Sequence, residues 1–480
     1  MNKPVFETFN VCDNYVLYDP IVNKFYKIPL SAYELLEKIK LLDKNERLPK
    51  TLIDKYCEGF EFLNELSASA KSFQGDAFSK PQYPYSDKQV EYMLYHRQKQ
   101  LVLEMTKSCN FRCKYCILSD IYEDNDQYSL GQMPKNILKK SLDFFIKTSS
   151  DSDVLTVSFY GGEPFMCFES IKWCVEYMLK NAIGKKISFT TTTNGSLLTE
   201  EIIDYIVEHD FRMMLSLDGP KSLHDANRVF ADGQATYDVV TSKLEYIKNS
   251  YPEFFERNVT FHAVVTSRQY TNEVIGYFND SYKNRFNYSF VQPGYDEEKF
   301  LSKFSDKTSN ELVQYSHRDF YQETINKIKV DPYIDDSMTY LYDKEIAEVL
   351  KIRPRENNDY FWPGGTCDIG CRRIFVDIKG KIFPCEKVTY ADDTNCIGDV
   401  EKGFDIKKIL ELIRDYEDTS VPCQSCWCAN MCKRCWKQMK IDESYCENMR
   451  RGVYDQIANS LKILFETPDI IKRYDKVDLR

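Results

Sequence analysis

The chain has 480 residues, with 64 Lys plus Arg against 74 Asp plus Glu, a formal net charge of −10 and a pI near 5.3. With 43% hydrophobic residues it is too apolar for disorder, and its length points to several domains rather than one core. An acidic chain without a basic block is a poor nucleic-acid binder, no apolar run has membrane-spanning length, and the first residues lack the apolar stretch of an export signal. A cytoplasmic protein with neither nucleic-acid nor membrane partners is therefore expected.

Two strand-like runs open the chain, Asn14–Tyr18 and Lys24–Ile28, around a turn at residues 19–23. Ser31 and Glu34 have capping-box spacing and should start a helix carrying Leu35, Leu36 and Ile39. A second helical stretch follows Pro49, with Leu52, Ile53, Tyr56 and Phe60 in register and Gly59 as its expected break. A hairpin followed by short helices suggests a small winged-helix-like domain over 1–75. Pro81 and Pro84 mark a linker over 76–95. Strands are then expected at 100–106, 154–160, 187–193, 212–218, 258–266 and 286–292. Helices should lie between them at 134–148, 168–181, 199–209, 235–250 and 271–283. This α/β alternation over 96–330 argues for a parallel sheet or barrel with its chemistry at the C-terminal strand ends. Residues 331–360 read as a bridging region, 361–455 as a cysteine-rich domain and 456–480 as a C-terminal helix or tail.

Cysteine is the informative residue. Seventeen cysteines in a chain without an export signal favour metal ligation over disulfides. Most fall in two blocks, and none of the five histidines lies beside them, which favours iron–sulfur clusters over zinc. Cys109, Cys113 and Cys116, spaced C-x3-C-x2-C directly after the first barrel strand, can hold three irons of a [4Fe–4S] cube and leave the fourth open. Part of a zinc site is the alternative. Gly161-Gly162-Glu163-Pro164 follows the second strand, where glycines let backbone approach a ligand closely. The C-terminal field holds Cys367, Cys371, Cys385, Cys423, Cys426, Cys432, Cys435 and Cys446, for which a zinc ribbon is the alternative. Cys12, Cys57, Cys167 and Cys174 read as buried structural thiols.

The motif Cys109 to Cys116, with Tyr115 before its last cysteine, resembles the radical S-adenosylmethionine (SAM) superfamily. That resemblance implies a partial (β/α)6 barrel, a cluster at Cys109, Cys113 and Cys116, and SAM on the open iron. Gly161, Gly162, Glu163 and Pro164 resemble the family's GGEP motif, which holds the SAM amino group. Asn194 and Ser216 match family strand-end positions, and Arg228 matches an arginine that contacts the SAM carboxylate. The C-terminal field resembles the SPASM extension with two auxiliary [4Fe–4S] clusters, three clusters in all. Its pairing implies Cys367, Cys371, Cys385 and Cys435 for the first, and Cys423, Cys426, Cys432 and Cys446 for the second. Cys432 and Cys435 are one residue closer than the general pattern. Some relatives lack a fourth ligand at the Cys371 position, and both readings stay open. Cys396 and Cys428 fit no ligand position and are read as structural, with an alternate-ligand role open.

Residues 1–75 resemble a RiPP recognition element, the module that binds the leader of a ribosomally synthesised precursor peptide by strand addition. Gly364-Gly365-Thr366-Cys367 through Arg372-Arg373-Ile374-Phe375-Val376-Asp377, then Phe383-Pro384-Cys385-Glu386-Lys387-Val388, resemble sactipeptide and ranthipeptide maturases. This implies thioether formation between a peptide cysteine and a carbon, with a flavodoxin or ferredoxin as electron donor. Carbon–carbon crosslinking, epimerisation and sulfatase-maturing residue oxidation are alternatives with the same machinery. A non-catalytic electron-transfer or peptide-binding iron–sulfur protein is a further alternative.

Overall fold

The structure, a computed structural model, describes residues 4–43, 46–70, 78–119, 128–266, 270–282, 286–290, 324–331, 334, 337–354, 361–363, 367–388, 393–436 and 443–474. Gly364, Gly365 and Thr366 lie outside the described residues.

The N-terminal unit is an antiparallel sheet of β1 (Glu7–Val11), β2 (Asn14–Asp19) and β3 (Lys24–Ile28), followed by α1 (Leu30–Lys40), α2 (Lys50–Lys55) and α3 (Cys57–Ala70). Strand alternation splits the sheet into two apolar faces. Leu17 and Ile28 pack with Ala32 and Leu36 of α1, whereas Phe9, Val11, Val16 and Tyr18 face the other way. Three local expectations need correction. Strand β1 was not expected. Helix α1 starts at Leu30 with extended Pro29 at its cap and no side-chain capping bond, so Ser31 lies inside the first turn, where it cannot cap. Finally, the helix breaks at Tyr56, while Gly59 sits within α3, where a Cβ would lie 2.5 Å from the Ser31 carbonyl oxygen. Gly59 thus permits close α1–α3 packing.

The segment expected as a linker carries α4 (Asp87–His96), whose Val90 and Leu94 are fully buried in the main core. The Ser86 N–H donates to Gln89 Oε1 at 2.9 Å, half of the capping box at this helix start.

Six parallel strands follow: β4 (Gln100–Thr106), β5 (Val154–Gly161), β6 (Lys186–Thr193), β7 (Arg212–Ser216), β8 (Val259–Val265) and β9 (Phe286–Phe290). They neighbour one another in chain order. Between them run α5 (Lys135–Lys147), α6 (Phe168–Asn181), α7 (Glu200–Glu208), α8 (Lys221–Asn227), α9 (Tyr237–Ser250) and α10 (Pro252–Asn258), with α11 (Thr271–Ser281) between β8 and β9. Leu155, Val157 and Phe159 of β5 are fully buried in the core, and Tyr160, on the opposite face, lines a cavity. Burying such side chains stabilises the sheet by about 1.5–3 kcal/mol each.

The cysteine-rich region extends this same sheet. Strand β10 (Arg373–Val376) pairs parallel to β4, with Arg373 beside Gln100. Gly380, at φ +90°, makes the turn into antiparallel β11 (Lys381–Phe383), followed by β12 (Gly398–Asp399) and β13 (Gly403–Phe404). The helix Glu443–Glu466 runs through position 455, the expected end of the cysteine-rich domain. Among the described residues no helix is long and apolar enough to cross a membrane.

Candidate active site

Strand β4 ends at Thr106 and feeds the loop holding Cys109, Cys113 and Cys116. This loop is stitched to the Gly161–Pro164 turn at the end of β5. The Gly162 N–H donates to the Thr106 carbonyl at 2.7 Å, and the Glu163 N–H donates to the Ser108 carbonyl at 2.9 Å. A Cβ on Gly161 would lie 2.3 Å from the Thr106 oxygen, and one on Gly162 would lie 2.0 Å from the Ser108 oxygen. The sequence reading assigned these glycines to ligand approach. The crowding they relieve is backbone against backbone.

Glu163 also has an internal task. Its buried carboxylate accepts from Phe165 N–H (3.1 Å), Thr193 Oγ1 (2.7 Å) and Asn194 N–H (2.8 Å), tying the ends of β5 and β6 together. Burial pushes its pKa up to about 7, against the opposing pull of these three donors.

Cys109, Cys113, Cys116, Gly161, Gly162, Asn194, Ser216 and Arg228 line one cavity with Phe111, Tyr115, Tyr128, Tyr160, Thr192 and Thr193. Glu163 and Pro164 support it from behind. Sulfur-directed donors converge there. The Phe111 N–H lies 3.3 Å from Cys109 Sγ, Asn194 Nδ2 lies 3.8 Å from the same sulfur, and an Arg228 guanidinium nitrogen lies 3.9 Å from Cys113 Sγ. Burial pushes the Cys109 and Cys113 thiols up to about 12. Thiols so hard to ionise are poor free nucleophiles, and a bound cation is what would make them thiolates. Soft donors with N–H groups aimed at sulfur fit an iron–sulfur cluster.

Arg228 is held from below. Its Nε is 3.0 Å from Asp218 Oδ1, with both side chains almost fully buried. Asp218 also accepts from the Val264 N–H at 2.9 Å and from the Tyr115 hydroxyl. Burial alone would lower the guanidinium's pKa, but Asp218, Tyr115 and Cys113 outweigh it and raise it. His224 supports the same corner. Its Nδ1 faces the Asp218 N–H at 3.3 Å and its Nε2 faces Thr236 Oγ1 at 3.0 Å. Burial holds its pKa down at about 4.

The C-terminal cysteines fall into two sets. Cys367 lies within electrostatic reach of Cys435 and Cys385, and Cys385 within reach of Cys435. Cys371 is buried, 3.6 Å from the Ile369 carbonyl oxygen, and its charged neighbours are Asp368 and Cys367. In the second set, Cys423 lies within reach of Cys426, Cys432 and Cys446. Cys428 is buried beside it, with Sγ 3.5 Å from Cys426 Sγ, and Cys396 sits 3.2 Å from the Gly398 carbonyl oxygen. Cys167 and Cys174 are buried as expected, but Cys12 and Cys57 are exposed. Among the described residues no three His, Cys, Asp or Glu side chains converge tightly enough for a single metal ion. A cube distributes its ligands over separate irons, one thiolate each.

Tyr160 connects the two regions. Its hydroxyl is pushed up by burial first, then by Glu386 and Cys116, with Cys385 also in reach and Arg373 opposing. Glu386 is paired with Arg373 at 2.9 Å and is almost fully buried. Tyr160 had no part in the sequence reading of the site, and Asp218, Arg373 and Glu386 were given no role of their own there. The usable signals were that Asp218 lies in the strand-end run after Ser216 and that Glu386 directly follows Cys385.

The geometry agrees with comparison to known proteins. Residues 103–268 match the radical SAM superfamily. They form a radical SAM domain. The cysteine-type anaerobic sulfatase-maturating enzyme of Clostridium perfringens is 24% identical over 374 residues, covering 73% of this chain and 94% of that protein. The radical SAM cyclopropyl synthase TigE of Paramaledivibacter caminithermalis is 26% identical over 194 residues, covering 38% of this chain and 37% of that protein. A solved structure of native anSMEcpe with bound AdoMet superposes with a TM-score of 0.56 at 20% identity, over 79% of this chain and all of that one, a likeness of fold.

Proposed function

We propose that this protein is a radical SAM peptide maturase that joins a cysteine sulfur of a ribosomally synthesised peptide to a carbon of another residue. The observation that carries the reading is the cavity where Cys109, Cys113 and Cys116 meet Asn194, Ser216 and Arg228. Tyr160 lines that cavity and also feels the charges of Glu386 and Cys385 from the cysteine-rich region.

Cys109, Cys113 and Cys116 would hold the cluster that binds SAM, and the two C-terminal sets would hold auxiliary clusters. When bound, the first cluster and SAM together supply a 5′-deoxyadenosyl radical that removes a hydrogen atom from carbon. The residues around them orient and protect. Arg228, fixed by Asp218, presents a guanidinium to the SAM carboxylate, and Asn194 and Ser216 border the same space. Phe111, Tyr115 and Tyr160 form the apolar walls that keep water out. Joining C–H to S–H would give one hydrogen atom to the deoxyadenosyl radical and release one proton and one electron, the electron passing to the auxiliary cluster that Cys367, Cys385 and Cys435 would hold. Among the described residues Glu386 Oε2 is buried without a hydrogen-bond partner, while Oε1 is held by Arg373, so Oε2 is the acceptor available for a proton. Support for a peptide substrate comes from the N-terminal sheet. The outer edge of β3 has no strand partner among the described residues, and an extended leader peptide can add there. A flavodoxin or ferredoxin is the expected reductant.

Sulfatase-type oxidation of a cysteine is the second reading, favoured by similarity to sulfatase-maturating enzymes over 94% of their length. Mass spectrometry of the peptide encoded beside this chain, co-expressed with it, separates the two. A thioether removes two hydrogens, keeps its sulfur and protects one cysteine from alkylation, whereas oxidation of a cysteine side chain to an aldehyde replaces its sulfur by oxygen. Replacement of sulfur by oxygen, or loss of two hydrogens with every cysteine still alkylatable, refutes the thioether reading.

A further inference from the structure

The second C-terminal thiol set shares a core with the N-terminal sheet. Phe9, Val11, Val16 and Tyr18, the sheet face turned away from α1, pack with Cys428, Val453, Ile457 and Leu461. Phe9 stacks on Tyr454 at 4.8 Å and meets Trp427 edge-on at 6.5 Å. Cys428 in turn touches Cys426, sulfur to sulfur at 3.5 Å. Asn430 Nδ2 donates to the Pro20 carbonyl at 2.6 Å. On the flank, Phe78 and Gln424 exchange two hydrogen bonds of 2.8 and 3.0 Å. Nearly every residue between Cys423 and Cys432 therefore either borders the shared thiol set or touches the chain near the N-terminus.

Among the described residues up to Trp436, the loop that carries these contacts holds a short 3-10 turn at Val421–Ser425 and isolated turn bonds from the Cys426, Ala429 and Met431 amides. Isolated turns alone fix little, so ligation of its cysteines is the natural source of its shape. We infer that the N-terminal unit is docked by the metal-loaded form of the Cys423–Cys432 loop, making cluster loading a condition for presenting the peptide-binding sheet. The inference rests on the reading that Cys423, Cys426, Cys432 and Cys446 ligate a cluster. It goes beyond that reading by coupling the cluster to a distant recognition surface. The coupling is reciprocal: whatever loosens the sheet must also loosen the metal.

Anaerobic amide exchange on the full-length, iron-loaded protein tests both directions. Chelator removal of iron from the wild type, and Cys432→Ala, should each speed exchange in residues 7–19 by about 100-fold or more, because the sheet loses its covering core. Cys113→Ala, which disrupts the other thiol set, should leave those amides protected. From the opposite side, Phe9→Ala should speed chelator removal of the second set's iron by about 10-fold without affecting iron at Cys109, Cys113 and Cys116. Unchanged protection of residues 7–19 after that iron is lost overturns the inference while leaving the cluster assignment intact. Absence of iron from the second set in the native protein overturns both.

Discussion

Asp218→Asn tests how the SAM-facing corner is built. The substitution keeps an oxygen for the Val264 N–H, now 2.9 Å from Oδ1, but removes the charge facing Arg228 at 3.0 Å. Both side chains are almost fully buried, so solvent cannot replace the lost partner. Breaking such a pair by removing one member costs about 3–5 kcal/mol, since the remaining charge stays uncompensated. A chain of this size need not unfold in one step, so a local readout is preferable to a global melting point. Leu217 and Val264 are suitable probes, because their amides bond across the β7–β8 junction to the His262 carbonyl and to Asp218 itself. Their exchange should accelerate by about 150-fold or more, the lower figure corresponding to about 3 kcal/mol. Asp218→Asn with Arg228→Met removes both charges and should restore most of the protection, giving a coupling of about 3 kcal/mol. SAM affinity should fall in the single and double variants alike, because each lacks a correctly held guanidinium. Less than about 10-fold acceleration in the single variant, with no recovery in the double, would refute the buried-pair argument.

Three further outcomes are expected. Gly162→Ala should abolish SAM binding and deplete iron at the first thiol set, since its Cβ meets the Ser108 carbonyl, which cannot move aside. Gly184→Ala, with φ +77° but open space around it, should preserve both. His224 should make stability fall as pH drops from 6.5 towards 4, by about 3 kcal/mol, because only the unfolded state gains the proton across that window. Exchange protection of the Leu217 and Val264 amides in His224→Gln should lack this increment, and equal pH dependence of that protection in both proteins would rule it out. Cys371→Ala should retain its iron, because that thiol turns to the Ile369 carbonyl and packs in the core. Loss of about four irons per chain would instead make Cys371 the fourth ligand.

The barrel was legible because strand and helix periods are strong there. The structural ends of β4 to β8 fall within two residues of those expected, and α6 spans the expected 168–181. Helices α8 and α10 escaped because seven residues give no readable period. Strand β1 is five residues long and is recognisable only when its Phe9 meets Val16. The cavity-lining cysteines and glycines carried their own spacing signal. Asp218 and Glu386 did not, because their importance lies in having Arg228 and Arg373 opposite them, and no local pattern encodes that pairing. Cys12 illustrates the converse error. It lies at φ +50° in the turn after β1 and is exposed, although its residue type alone suggests burial.

The pairing of β10 with β4 also sets the length of sheet face that leads to the first thiol set. Arg373 sits beside Gln100 at the start of β4, while Cys109 follows the other end of that strand. After the Gly380 turn, β11 runs back with Phe383 opposite Phe375, and Cys385 follows its end. Six steps of extended strand separate Gln100 from Thr106, or about 20 Å at 3.3 Å per residue. Tyr160, opposite Glu104, lies on this stretch of the sheet. The intervening wall is polar: Gln100 Nε2 donates to Ser158 Oγ at 2.8 Å, and Ser158 bonds Thr190 Oγ1 at 2.6 Å. On the far side His262 Nε2 faces Ser289 Oγ at 3.1 Å. About six extended peptide residues would match this length. Hydroxyl, amide and imidazole groups along this sheet face suit a peptide backbone, which presents N–H and C=O groups at every residue, in keeping with the peptide substrate proposed above.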